Sequence, residues 1–190
     1  MTTTTTDTPK IFLTDYASYN NGTQFEFGHW VELDQFNDAD ELGEYIADHF
    51  AEADRKSPLF GSIREEVMIT DFECFPKEFY SECSMNFEVL YEYLERVESS
   101  HLDQEVIEAF ADLGSYDIEE VDSFFDALEE SYVGEFNSDA DFAENFAEEC
   151  GYMEGEKVGS WPFNNVNWDR AAQDLMYDYS ESNGHYFRSL

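Results

Sequence analysis

The residues with the most capacity for chemistry in this chain are its carboxylates. Asp and Glu account for 45 of 190 residues, against 9 Lys and Arg, for a formal net charge of -36. Neighbouring pairs stand at Glu119–Glu120, Glu129–Glu130 and Glu148–Glu149, the residue types of general acid/base catalysis. A catalytic pair needs two environments that separate its pKa values at one substrate position. No spacing here singles out one pair, and all three read as solvated helix surface. The run Asp34–Asp40 has the look of a calcium loop, but Phe36 stands at a ligand position and Ala39 replaces the glycine that the bend requires. His29, His49, His101 and His185 assemble no site, and His49 falls on the apolar stripe of a helix. Cys74, Cys83 and Cys150 form neither an even disulfide framework nor a close metal-binding pair, and no nucleophile elbow surrounds them. Residues 155–159 lack the P-loop pattern. The expectation is a protein that is not an enzyme and uses no cofactor and no metal.

What remains is the charge itself. From Val97 to Glu156 there are 20 acidic residues and no Lys or Arg; residues 11–54 hold 11 acidic residues and again no Lys or Arg. Ordinary surfaces mix the two signs, because opposite neighbours relieve repulsion and support helices at i,i+4 spacing. Two explanations fit: adaptation to concentrated salt, or imitation of a polyanion. Duplex DNA carries one charge per ~1.7 Å of axis, so 36 net charges at that density correspond to roughly 60 Å, or about 18 base pairs. Such a surface repels nucleic acid and anionic lipid, and it attracts a basic partner. No segment approaches the ~20 apolar residues that span a bilayer, and the Thr-rich start has no signal-peptide features. Free thiols and these absences fit a cytoplasmic protein.

Charge this high opposes collapse, yet 18 Phe, 12 Tyr and 3 Trp supply enough buried area for a core. The elements that position the carboxylates follow from periodicity. Residues 11–16 read as a strand, closed by a turn at Asn20–Gly22. Phe25, Phe27, His29, Val31 and Leu33 alternate with Glu26, Gly28, Trp30 and Glu32, which predicts a second strand with Trp30 on its other side. Asp38 and Glu41 stand at capping-box spacing before a helix with the stripe Leu42, Tyr45, Ile46, His49 and Phe50. Residues 55–65 are a loop and 67–72 a returning strand. Phe87, Leu90, Tyr91, Leu94 and Val97 make one helical stripe, and Leu102, Val106, Phe110 and Leu113 a second, capped by Gly114. Asp117 and Glu120 open a third helix carrying Val121, Phe124, Phe125 and Leu128. An extra turn falls near residues 76–84.

The segment Phe36–Asp40 is echoed at Phe136–Asp141, each opening an acidic helix. The second helix buries Phe142, Phe146 and Cys150 and follows a strand at 132–136. A last helix takes Trp168, Ala171, Ala172, Leu175, Met176 and Tyr179, and a strand closes the chain at 185–188. The echo points to two related units, or to chance in a chain rich in Asp, Ala and Phe. The predicted class is α+β: an elongated chain of three small domains, two mixed α/β units flanking a helical one. The boundaries are a flexible tail at 1–10, an N-terminal α+β domain at 11–73, a central helical domain at 74–130 and a C-terminal α+β domain at 131–190.

The order of Ile11–Asn20, Gly22, Trp30–Val31, Ala111–Tyr116, Asn167–Leu175 and Gly184–Phe187 resembles the ArdA antirestriction family, carried by mobile genetic elements. The resemblance implies a cytoplasmic DNA mimic that competitively occupies the DNA-binding site of type I restriction-modification enzymes, dimerises through its C-terminal domain and binds no nucleic acid or membrane itself. It places Leu113, Gly114, Ser115 and Tyr116 in the antirestriction-motif region, with a folding role for Leu113 and Gly114. Asp112, Asp117, Glu119, Glu120, Asp122, Asp126, Glu129 and Glu130 become the carboxylates expected to stand in for phosphates. Trp161, Phe163 and Trp168 line either a dimer contact or a local core. The alternatives from composition are an acidic module for another basic DNA-binding protein and a hydrolase adapted to high salt.

Overall fold

Ile11, Leu13, Thr14 and Asp15 are all buried, which suits a strand in the middle of a sheet rather than at its edge. In the computed structural model, which describes residues 8–59, 61, 63–152 and 160–190, β1 (Lys10–Asp15) lies between β2 (His29–Glu32) and β3 (Val67–Glu73), antiparallel to both. Two short helices, α1 (Tyr16–Asn20) and α2 (Gln24–Phe27), separate β1 from β2. The strand predicted over residues 25–33 is thus shorter than the alternation implied. Gln24–Phe27 winds into a helical turn with Phe25 76% exposed, and Leu33 is buried in a 3-10 turn at Leu33–Gln35. Alternation over so few residues also satisfies a short helix next to a strand, and tertiary contacts decide.

Helix α3 (Ala39–Lys56) buries Leu42, Ile46, Phe50 and Ala53. The Asp38 carboxylate accepts the Glu41 backbone N–H at 2.8 Å, as an N-cap should. Glu41 reaches one residue further than in a capping box: its Oε2 accepts from the Asn37 backbone N–H at 2.8 Å and the Asn37 amide at 2.7 Å. Helix α4 (Phe87–Ser99) follows a 3-10 turn at Lys77–Phe79 and buries Leu90 and Tyr93. Its Tyr91 hydroxyl donates to the Leu33 carbonyl at 2.9 Å. Burial, with Asp38, Glu41 and Asp34 nearby, pushes that hydroxyl up to about 12, so it keeps the proton it donates.

The chain divides into two compact units, Met1–Glu95 and Arg96–Leu190. In the second, β6 (His185–Arg188) is central, antiparallel to β4 (Tyr132–Glu135) and β5 (Tyr179–Ser182). Successive residues His185, Tyr186 and Phe187 are all buried, which a strand achieves only when both faces are covered. Phe187 meets Phe110 of α5 (Gln104–Asp112) at 5.1 Å, while Tyr186 meets Phe142 of α7 (Asp139–Glu149) at 4.6 Å. Helix α6 (Val121–Ser131) adds Val121, Phe124, Phe125, Ala127 and Leu128 to the core. The Tyr186 hydroxyl donates to Asp139 Oδ1 at 2.6 Å, tying β6 to the first turn of α7.

Three expectations in this unit need correction. Asp117 and Glu120 do not box a helix: α6 begins at Val121, and Asp117 instead accepts the Glu119 N–H at 3.0 Å in the preceding turn. Cys150 is exposed, because α7 ends at Glu149 and Cys150 is its C-cap. Tyr179 belongs to β5 rather than to α8 (Trp168–Leu175), whose one fully buried residue is Ala172. The architecture is mixed α+β with two small antiparallel sheets. The sequence segments 1–7 and 155–159 lie outside the described residues.

Candidate protein-binding surface

Every carboxylate singled out in the sequence reaches solvent. Asp112, Asp117, Glu119, Glu120, Asp122, Asp126, Glu129 and Glu130 are all exposed, and two physical devices keep them so. On α6 the apolar stripe Val121, Phe124, Phe125 and Leu128 is buried, and the i,i+4 geometry of a helix turns Asp122, Asp126, Glu129 and Glu130 to the opposite side. In the turn before it, Ile118 is only 5% exposed and acts as an apolar anchor between Asp117 and the pair Glu119–Glu120. Four carboxylates between residues 122 and 130 span ~12 Å of helix axis at 1.5 Å per residue. That is about one charge per 4 Å, close to the ~3.4 Å per charge of a single DNA strand.

The motif region folds the link between α5 and α6. Leu113 is the C-cap of α5, its N–H donating to the Phe110 carbonyl at 3.2 Å. Gly114 has φ +63° and its N–H donates to the Ala111 carbonyl at 3.0 Å. A Cβ there would meet nothing within 4 Å. The left-handed backbone, not crowding, is what calls for glycine. Ser115 is exposed, and Tyr116 stacks on Phe110 at 5.5 Å and 22°. Phe110 in turn touches Phe124 and Phe187, so the turn is seated on the core that α6 shares.

Sequence reasoning missed part of this surface. Glu105 and Glu108 are exposed on α5 at i and i+3, with Asp112 at i+7, and form a second acidic row. The same periodicity that located α6 would have found it. Also missed were two arginines beside this surface. Arg96 Nη2 lies 3.7 Å from Asp126 Oδ1, and Arg188 Nη2 lies 3.7 Å from Glu130 Oε1. Asp112 accepts from the Asn183 amide at 3.2 Å. Elsewhere in the unit, Trp161 is 80% exposed and Tyr177 84% exposed, while Trp168 is half-buried at the start of α8. Phe163 opens a 3-10 turn, Phe163–Asn165.

Three of the four histidines are engaged in packing, and His101 is exposed. In unit one, the Phe27 carbonyl lies 3.0 Å from His29 Nδ1 and 2.9 Å from His49 Nε2, and His29 Nε2 sits 2.6 Å from the Tyr45 hydroxyl. Burial lowers the His49 pKa, and His29, with ring centroids 4.4 Å apart, lowers it further. His185 is buried, with Nδ1 at 3.3 Å from the Tyr132 hydroxyl.

Helices and turns that hold carboxylates outward on a packed core define an acidic protein built to present anions to a basic partner. A family model described as antirestriction protein (ArdA) matches residues 11–188, and the chain belongs to that family. A search of curated proteins finds no match to the chain. Family membership makes it an antirestriction DNA mimic that engages type I restriction-modification enzymes at their DNA-binding site and works without turnover. Among the described residues, no helix is long and apolar enough to cross a membrane.

Proposed function

We propose that the α5–α6 segment carries the phosphate mimicry, with Asp112, Asp117, Glu119, Glu120, Asp122, Asp126, Glu129 and Glu130 meeting basic residues of the enzyme's DNA-binding groove. The observation that carries this reading is the pairing of an exposed acidic face with a buried aromatic face on the same helix. Charge is then held in place by the core rather than by flexible side chains alone. Leu113 and Gly114 serve this surface by folding the turn, and Tyr116 by stacking on α5. Replacing the eight carboxylates with the corresponding amides should weaken inhibition of a type I enzyme and reduce its salt dependence, whereas native inhibition and native salt dependence in that variant would reject the assignment.

The segments 11–73, 74–130 and 131–190 are divisions of role. In support, the described residues between 74 and 130 form helices and turns, while the strands lie on either side. The protein works in the cytoplasm, where its target acts, and its net charge of -36 keeps it off nucleic acid. It dimerises through the C-terminal segment, with Trp161, Phe163 and Trp168 as the contact residues; in support, Trp161 is 80% exposed. Sedimentation of Trp161→Ser should then show a loss of dimer, and an unchanged dimer would remove Trp161 from the contact.

A further inference from the structure

The stretch Val97–Glu156 has no Lys or Arg in sequence, yet two arginines from outside it return to α6. We propose that Arg96 and Arg188 are internal counter-ions that weaken the DNA-like face of α6, so that the protein binds its target less tightly than its carboxylates alone would allow. The inference rests on α6 belonging to the surface that meets the enzyme.

Both arginines are delivered by the fold. The Arg96 guanidinium lies 5.2 Å over the ring of Phe125, itself 1% exposed, and this stacking sets the head group beside Asp126. Arg188 ends β6 directly after three buried residues, which brings it to Glu130. Neither pair is closed. Both nitrogen–oxygen distances are 3.7 Å, against 2.7 Å for Lys10–Glu73 and Lys56–Glu52, and a charged hydrogen bond is normally ~2.7–2.9 Å. The Asp126 and Glu130 side chains keep 80% and 67% of their exposure. The arginines therefore screen these carboxylates without covering them. Among the described residues, Asp122 and Glu129 on the same face have no such partner. Half of the α6 row is thus presented at full charge and half against a resident cation that an incoming Lys or Arg must outcompete.

The test measures the affinity of full-length variants for a purified type I modification enzyme, by competition against fluorescent DNA over a range of salt. Arg188→Gln and Arg96→Gln should each bind ~2- to 5-fold tighter, the equivalent of one exposed ion pair, with a steeper salt dependence. Asp126→Asn should cost more affinity in the Arg96→Gln background than in the native protein. Unchanged or weaker binding by Arg188→Gln, with an unchanged melting temperature, would overturn the proposal. If Arg96→Gln melts earlier for want of its contact with Phe125, Arg188→Gln decides alone. Asp122→Asn/Glu129→Gln separates the two levels of inference. Native affinity in that variant rejects α6 as contact surface. Reduced affinity there, together with no gain in Arg188→Gln, rejects only the counter-ions.

Discussion

Arg64 and Arg96 both meet carboxylates, one inside the first unit and one on the surface of the second. The Arg64 side chain is fully buried; Nη1 donates to Asp54 Oδ1 at 2.7 Å and to the Ser57 carbonyl at 2.8 Å, and Nε donates to the Ser18 hydroxyl at 2.9 Å. Asp15, 1% exposed, stands 3.7 Å from Nε and also caps α1 by accepting the Ser18 N–H at 2.7 Å. The Phe27 ring lies 4.9 Å beneath the guanidinium. In that low-dielectric setting each charge is costly without the other. Around Arg96 water screens the pair, and neither partner depends on the other for folding. The chain has only 9 Lys and Arg, and one of them is committed to the interior. Cation there holds the fold; anion outside meets the target.

Breaking the interior cluster should have the largest effect on stability. Arg64→Met leaves Asp15 buried without its cation and should cost about 3–5 kcal/mol, read as a lower urea midpoint. Gly114→Ala, which forces a side chain into φ +63°, should cost about 1–2 kcal/mol by the same measurement. A smaller, pH-dependent effect belongs to His49. Its folded-state pKa is lowered, first by burial, so the unfolded chain binds its proton more readily. Its contribution is complete above the ordinary value near ~6.5 and is lost as pH falls through the lowered one. The stability difference between native protein and His49→Gln should therefore shrink on acidification. Asp122→Asn marks the other end of the comparison. It should shift stability by no more than ~0.5 kcal/mol, even though it removes one full charge.

The helices were legible because their apolar stripes are long. Leu42, Ile46 and Phe50, and Val121, Phe124, Phe125 and Leu128, are buried as their spacing required. The echoed segment was legible too, and its hydrogen bonds repeat role for role. Asn137 donates through its backbone N–H and its amide to Asp141 Oδ2, at 3.1 and 2.9 Å, and Ser138 accepts the Asp141 N–H at 3.2 Å. These are the roles of Asn37, Asp38 and Glu41. Each motif lies between two strands that flank a third, antiparallel to both, with α3 between them in the first unit and α7 and α8 in the second. In the first unit the central strand β1 precedes that segment, and in the second the central strand β6 follows it. That change of order explains why the echo is confined to the helix start.

Short elements were not legible. Residues 24–33 divide between helix, strand and 3-10 turn because four-residue pieces take their conformation from the packing around them. Of the surface, the exposure of Asp122, Asp126, Glu129 and Glu130 followed from the periodicity of α6, whereas Asp117, Glu119 and Glu120 lie in a turn before it. The arginine neighbours of α6 did not follow from it, because Arg188 reaches Glu130 across 58 positions of sequence and Arg96 is placed by a ring contact.

The central claim is that distributed exposed charge occupies a groove made for DNA. Inhibition of a type I restriction-modification enzyme, titrated against competing unmodified DNA at several salt concentrations, tests it most directly. Competitive displacement by DNA, with inhibition weakening steeply as salt rises, is the expected result. Inhibition that persists unchanged at saturating DNA would contradict the account.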